Sequence, residues 1–122
     1  MNEVFSYGRI IYARPNEKYA DKMVEMMNNE KIASMLFTKK LTFTREMELE
    51  WIKNHQNDNN FSVFDSVTLE YIGNCGFNEI SNNKGEIGIT ICEEMQGKHY
   101  AKEIIKGLIH YGFNVLKLDE IY

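Results

Sequence analysis

Between Gly85 and Leu116 the apolar residues switch from one period to another with a single short turn in between. In GEIGITIC, Ile87, Ile89 and Ile91 alternate with Glu86, Gly88, Thr90 and Cys92. That is the two-residue repeat of a β-strand with two distinct faces. Further on, Ala101, Ile104, Ile105, Leu108, Ile109, Gly112, Val115 and Leu116 recur at helical spacing, with Lys102, Glu103, Lys106 and His110 opposite. A strand feeding directly into a long amphipathic helix must lay that helix against a sheet. This confines the chain to α/β or α+β architectures.

The remaining segments fit around that unit. RIIYARP reads as a strand stopped by Pro15, and Asn16 stands where a helix N-cap belongs. Tyr19, Ala20, Met23, Val24 and Met27 then share a helical face, and the helix ends near Asn28-Asn29. KIASMLF has the length of one or two helical turns, and TKKLTF reads as a loop. Thr44 caps a second helix in which Met47, Trp51 and His55 share a face. FSVF and YIGNCGFNEI are strands, and SNNKG is the hairpin loop leading to GEIGITIC. Around that loop the hairpin register sets Cys75 nearly opposite Cys92, or one residue off. LDEIY opens a last strand beside GITIC. The expected order is β-α-α-β-β-β-α-β, in one domain over residues 1–122.

Composition removes several function classes. With 14 basic and 18 acidic side chains the net charge is −4, unlike the basic face that general nucleic-acid binding requires. No segment has the roughly 18 apolar residues of a membrane span, and the N-terminus has no basic, then apolar, secretory pattern. The expected setting is cytoplasmic, with Cys75 and Cys92 as reduced, apolar fillers. No metal is expected. His55, His99 and His110 lack ligand spacing, and DNNFSVFDSVTL has Val63 and Leu69 where a calcium loop needs Gly and Glu.

CEEMQGKHYAKE is the segment with chemical character. The first N–H groups of a helix have no internal acceptor and carry the positive end of its dipole, so they favour an anion. Gly97 removes a side chain that would obstruct a ligand, and Lys98 and Lys102 add positive charge. Neither G-x-x-x-x-G-K-[ST] nor G-x-G-x-x-G is present.

This segment resembles the acetyl-CoA pyrophosphate loop of the GNAT superfamily of N-acetyltransferases. The family pattern is Gln or Arg, two residues, Gly, one residue, then Gly or Ala. Gln96 fills the first place and Ala101 the last, while His99 stands where the Gly belongs. WIKNHQNDNNFSVFD, YIGNCGFNEIS, GEIGITICEEMQGKHYAKEII and LIHYGFNVLKLDEIY follow in the order of the branch that acetylates ribosomal-protein N-termini and similar amines. The resemblance runs from about Arg9 to Tyr122. It implies a mixed, mostly antiparallel sheet flanked by helices, with acetyl-CoA in a splay beside GITIC. It places the pantetheine arm on the backbone of Ile91 and Cys92. Gln96, Gly97, Lys98, His99, Tyr100 and Ala101 would form the loop around the pyrophosphate. The reaction it implies is direct acetyl transfer to a primary amine, on a protein N-terminus or a small molecule.

Such a transfer needs a base for the amine proton and a donor for the carbonyl oxygen that gains charge. Glu86 is the expected base, directly or through water, because alternation puts it on the Gly88 and Thr90 side. A left-handed backbone at His99 would cost about 1 kcal/mol or more. The resemblance also implies that a further helix and two strands are missing after Tyr122. A last strand left uncovered invites pairing with a second copy, so a homodimer is expected. The alternative reading is a catalytically impaired remnant that binds CoA weakly or serves as an interaction module.

Overall fold

The computed structural model describes residues 1–36 and 41–122. Strands β1 (Glu3–Tyr7) and β2 (Ile10–Ala13) come first. Helices α1 (Ala20–Asn28), α2 (Glu30–Leu36) and α3 (Arg45–Asn54) follow. Strands β3 (Asn60–Asp65), β4 (Tyr71–Ser81) and β5 (Lys84–Ile91) lead into helix α4 (Tyr100–Asn114) and strand β6 (Glu120–Ile121). The six strands form one sheet in sequence order, antiparallel except for the parallel β5–β6 pair. α4 packs on one face and α1 to α3 on the other, which gives the expected mixed, mostly antiparallel sheet flanked by helices.

Helix boundaries follow local chemistry. Asn16 does cap, but it caps a 3-10 turn over Glu17–Tyr19, with its side chain accepting from the Lys18 N–H. α1 continues from that turn. Thr44 Oγ1 accepts the Met47 N–H at 3.2 Å and starts α3. The face of α3 turned inward carries Glu48 and Ile52, while Met47 and Trp51 border an open cleft. The loop expected over residues 38–43 lies partly outside the described residues.

Four expectations need correction. The sequence reading had no strand at β1. Its partial burial and edge position leave it without the alternation that marks β5. The buried face of α4 is Tyr100, Ile104, Gly107, Leu108 and Gly112, whereas Ala101, Ile105, Ile109 and Val115 face solvent. Gly107 sets that rotation, because a Cβ there would lie 2.1 Å from Tyr12 Oη. The Tyr12 hydroxyl in turn donates to the Ile104 carbonyl at 2.8 Å.

The third correction concerns the hairpin. Its turn is Asn82-Asn83, both with positive φ (52° and 62°), and Ser81 pairs with Lys84. Asparagine tolerates that backbone, as two-residue hairpin turns require. Gly85 therefore sits inside β5. A bulge between Phe77 and Glu79 shifts the register once more, so Cys75 faces Ile89 while the Cys92 N–H bonds to the Ile72 carbonyl. The cysteines are not cross-strand partners. Both are free and buried.

The fourth concerns β6. It pairs with Lys84 and Gly85 at the start of β5, and its last bond runs from the Ile87 N–H to the Tyr122 carbonyl. It does not lie beside GITIC, and Ile121 is half-buried against Gly112 of α4 instead of being displayed on an edge.

Candidate functional site

Because β6 stops pairing at Ile87, β5 and β6 part from there on. Along a strand the N–H and C=O groups alternate sides. Ile87 bonds toward β6 and Cys92 toward β4, so the backbones of Ile89 and Ile91 face the gap. The Ile91 carbonyl accepts from Gln96 Nε2 at 3.2 Å, which folds the Gln96 side chain back onto the strand end. Of the two residues expected along this edge, Ile91 faces the gap. The Cys92 N–H and carbonyl are engaged by Ile72 and Met95, and burial pushes its thiol up to about 12.

After β5 a 3-10 turn over Glu93–Met95 leads to extended Gln96, then to Gly97 (φ 79°) and His99 (φ 66°). The loop is thus bent twice into the left-handed region. Gly97 does so freely, and a Cβ there would meet nothing within 4 Å. His99 is the N-cap of α4 in αL geometry and makes no side-chain cap bond. Among the described residues no side chain caps the first-turn N–H groups of α4. Gln96, Gly97, His99, Tyr100, Ala101 and Lys102 form one end of a cleft of about 700 Å³. Ile89, Thr90 and Ile91 run along it, and Ile32, Met35 and Leu36 of α2 close it from above. Lys98 is exposed beside it.

The sequence carries no local sign of the cluster that fixes this loop. Arg9 Nε binds Glu103 Oε1 at 2.8 Å, and its terminal nitrogen donates to the Lys98 carbonyl. Its guanidinium lies 4.3 Å from the centre of the Tyr100 ring. The Tyr100 hydroxyl donates to Asp65 Oδ2 at 2.7 Å. N–H groups of Thr68 and Val67, with that hydroxyl, hold the Asp65 carboxyl below the usual range. The partners lie 35 to 94 residues apart, so only the folded sheet brings them together.

A second cleft, of about 390 Å³, adjoins the first and shares Leu36, Ile89 and Thr90 with it. Its walls are apolar: Met26 and Met27 from α1, Met47 and Trp51 from α3, and Phe43. Its floor carries Asn60, Asn74, Asn78 and Thr90. Asn74 Oδ1 accepts from Ser62 Oγ (2.7 Å) and Tyr71 Oη (2.9 Å). With the amide turned over, both buried hydroxyl protons would lose their acceptor. With Oδ1 taken up by these hydroxyls, the Asn74 NH₂ group is the part left free to donate. Glu48 also lines this cleft, and burial raises its carboxyl above the usual range. Glu86 is half-buried on β5 and lines neither cleft. It precedes Gly88 by two residues, roughly 7 Å along the strand. Among the described residues no three His, Cys, Asp or Glu gather as a metal would need, and no helix is long and apolar enough to cross a membrane.

A splayed sheet opening over an uncapped helix N-terminus defines a class of α/β domain. The family model described as acetyltransferase (GNAT) domain matches residues 9–122, and the chain belongs to that family. It is 43% identical over 65 residues to an uncharacterized N-acetyltransferase p20 of Bacillus licheniformis, a match covering 52% of this chain and 36% of that protein. The chain therefore matches only about a third of that relative's length. Its fold is similar to that of a GNAT-family acetyltransferase from Bacillus anthracis (TM-score 0.82, 21% identity, covering 95% of this chain and 69% of that one). It is also similar to spermidine N-acetyltransferase from Vibrio cholerae, solved with CoA and spermine (TM-score 0.79, 25% identity, 93% and 69%). These relatives lend no support to the remnant reading.

Proposed function

We propose that this chain, as one domain over residues 1–122, transfers the acetyl group of acetyl-CoA to a primary amine. The observation that carries the reading is the junction of the two clefts at Leu36, Ile89 and Thr90. One cleft ends at an uncapped helix N-terminus suited to a pyrophosphate, and the other has a polar floor under apolar walls. A thioester and an amine entering from the two sides would meet at Ile89 and Thr90.

In this reading the amides from Gly97 to Ala101 hold the pyrophosphate, with Lys98 and Lys102 adding charge. The backbone of Ile91, and of Ile89 before it, aligns the pantetheine arm as a further strand would. The Ile89 N–H faces the gap where the thioester carbonyl would sit and is the natural donor to its oxygen. The amine lone pair attacks the carbonyl carbon, the C–S bond breaks, and CoA leaves as a thiolate that gains a proton. Glu86 takes the amine's proton through water, since it does not line the cleft itself. The acceptor is a small amine or a protein N-terminus, as in the ribosomal-protein branch. The proposal extends to a cytoplasmic setting, in keeping with two unpaired buried thiols, and to a homodimer through the sheet edge at β6.

Titration calorimetry tests the cofactor half. CoA is expected to bind at least tenfold more tightly than pantetheine, which has the same arm without the phosphates, because phosphate contacts to unpaired amides are charge-assisted. Equal affinity would remove the loop from the reading.

A further inference from the structure

Glu48 is the structural anomaly of the second cleft. It is 6% exposed, yet among the described residues its carboxylate accepts no hydrogen bond and meets no cation. Glu48 lines the cleft and its oxygens keep some accessible surface, so a ligand there can reach them. A buried, unpartnered carboxylate is costly, and a cation brought by a ligand would relieve that cost. Among the described residues no other cleft-lining side chain carries a charge. The site thus offers one negative group, a fixed amide donor at Asn74, and a wall formed by Met26, Met47, Phe43 and Trp51. Thioether side chains adapt to irregular apolar shapes, and an aromatic wall suits a flat or hydrocarbon group.

We propose that Glu48 receives the ammonium group of the acceptor as it enters the cleft, before the amine gives up its proton through water to Glu86 at the junction, and that this acceptor is a monoamine carried on an apolar or aromatic arm. The inference rests on the acetyltransferase reading only in assigning this cleft to the acceptor. A polyamine fits it poorly. Each extra ammonium would lie against Met, Phe or Trp walls with no second carboxylate to pair with. A peptide N-terminus fits only when its first side chain is apolar.

Trp51 is the chain's one tryptophan and lines the cleft, so its fluorescence reports occupancy without acetyl-CoA or turnover. The probes are 2-phenylethylamine, its uncharged analogue 2-phenylethanol, and spermidine. In the unaltered chain 2-phenylethylamine is expected to saturate the signal at roughly tenfold or more lower concentration than either other probe, given the cost of leaving a buried charge unpaired. In Glu48→Gln its affinity is expected to fall to that of 2-phenylethanol, while acetyl-CoA affinity by calorimetry stays the same. Tighter spermidine binding, equal binding of the alcohol, or an unchanged amine affinity in Glu48→Gln would each overturn the proposal. The alcohol comparison needs no variant, so it stands even if Glu48→Gln folds poorly. Loss of acetyl-CoA binding in the unaltered chain would refute the acetyltransferase reading, and the amine titration would still decide the role of Glu48.

Discussion

Gly97 offers a perturbation in which strain and obstruction can be separated. Its φ of 79° lies in the left-handed region, and a Cβ there would meet no described atom within 4 Å. Replacement by valine is therefore expected to cost mainly backbone strain, about 1–2 kcal/mol. For a chain of this length that lowers Tm by roughly 5–10 °C. Asparagine adopts left-handed backbone readily, and replacing a glycine also restricts the unfolded chain by about 0.4–1 kcal/mol. Gly97→Asn should then melt within a few degrees of the unaltered protein. Gly97 lines the cleft beside the first turn of α4, so either side chain is expected to crowd a pyrophosphate held there. Each charge-assisted bond denied to a pyrophosphate is worth roughly 1.5–3 kcal/mol, or about tenfold or more in affinity. Thermal melts and CoA calorimetry on both variants give the decision. Both should bind CoA at least tenfold more weakly, although only valine destabilises. If Gly97→Asn binds CoA normally, the loop does not hold the pyrophosphate.

Other outcomes follow from the same geometry. His99→Gly removes left-handed strain at the N-cap and is expected to keep or improve CoA affinity by calorimetry; a large loss would make the imidazole a ligand contact. Glu48→Gln is expected to melt higher at neutral pH. The carboxyl's folded pKa is raised, so its unfavourable charge appears as pH rises, and the gain should vanish below the unfolded value near about 4.3. A variant that melts lower at neutral pH would mean that Glu48 is paired in solution. Asp65 has the opposite sign: its lowered pKa gives stability above about 3.9 that is lost as pH falls through the folded value. Asp65→Asn should therefore lose part of the acid sensitivity seen in melts between neutral and low pH. An unchanged pH profile would show that the bonds from Thr68, Tyr100 and Val67 do not hold the Asp65 carboxyl low.

What could be read from the sequence was what short stretches decide by themselves. The alternation from Ile87 to Ile91 and the cap at Thr44 survived because each depends on neighbours within a few residues. The strand–turn–helix at Gln96 was equally legible, since its resemblance to a family motif is local. Register was not, because it depends on which residues of SNNKG take positive φ. Gly85 is not one of them: in the folded chain it is pressed by Phe77 and Leu118, where a Cβ would come within 2.8 Å of both. The bulge before Glu79 then displaced the cysteine pairing further. On α4 the apolar stripe was too wide to define its buried face, and Tyr12 against Gly107 chose the rotation. Glu48 was not singled out on α3, and nothing nearby in sequence signals that an apolar cleft surrounds it. The Arg9–Tyr100–Asp65 cluster joins three distant segments and became visible only when the sheet assembled.

The central claim is acetyl transfer at the junction of the two clefts, and the most direct measurement is product formation by the purified chain. Acetyl-CoA and 2-phenylethylamine are incubated with it, and the acetylated amine and free CoA are quantified by mass spectrometry. The account predicts that both appear in equal amounts, at a rate proportional to protein and lowered at least tenfold in Gly97→Asn at subsaturating acetyl-CoA. No acetylated product with this amine, with spermidine or with a peptide N-terminus, from a folded chain saturated with acetyl-CoA, would contradict it.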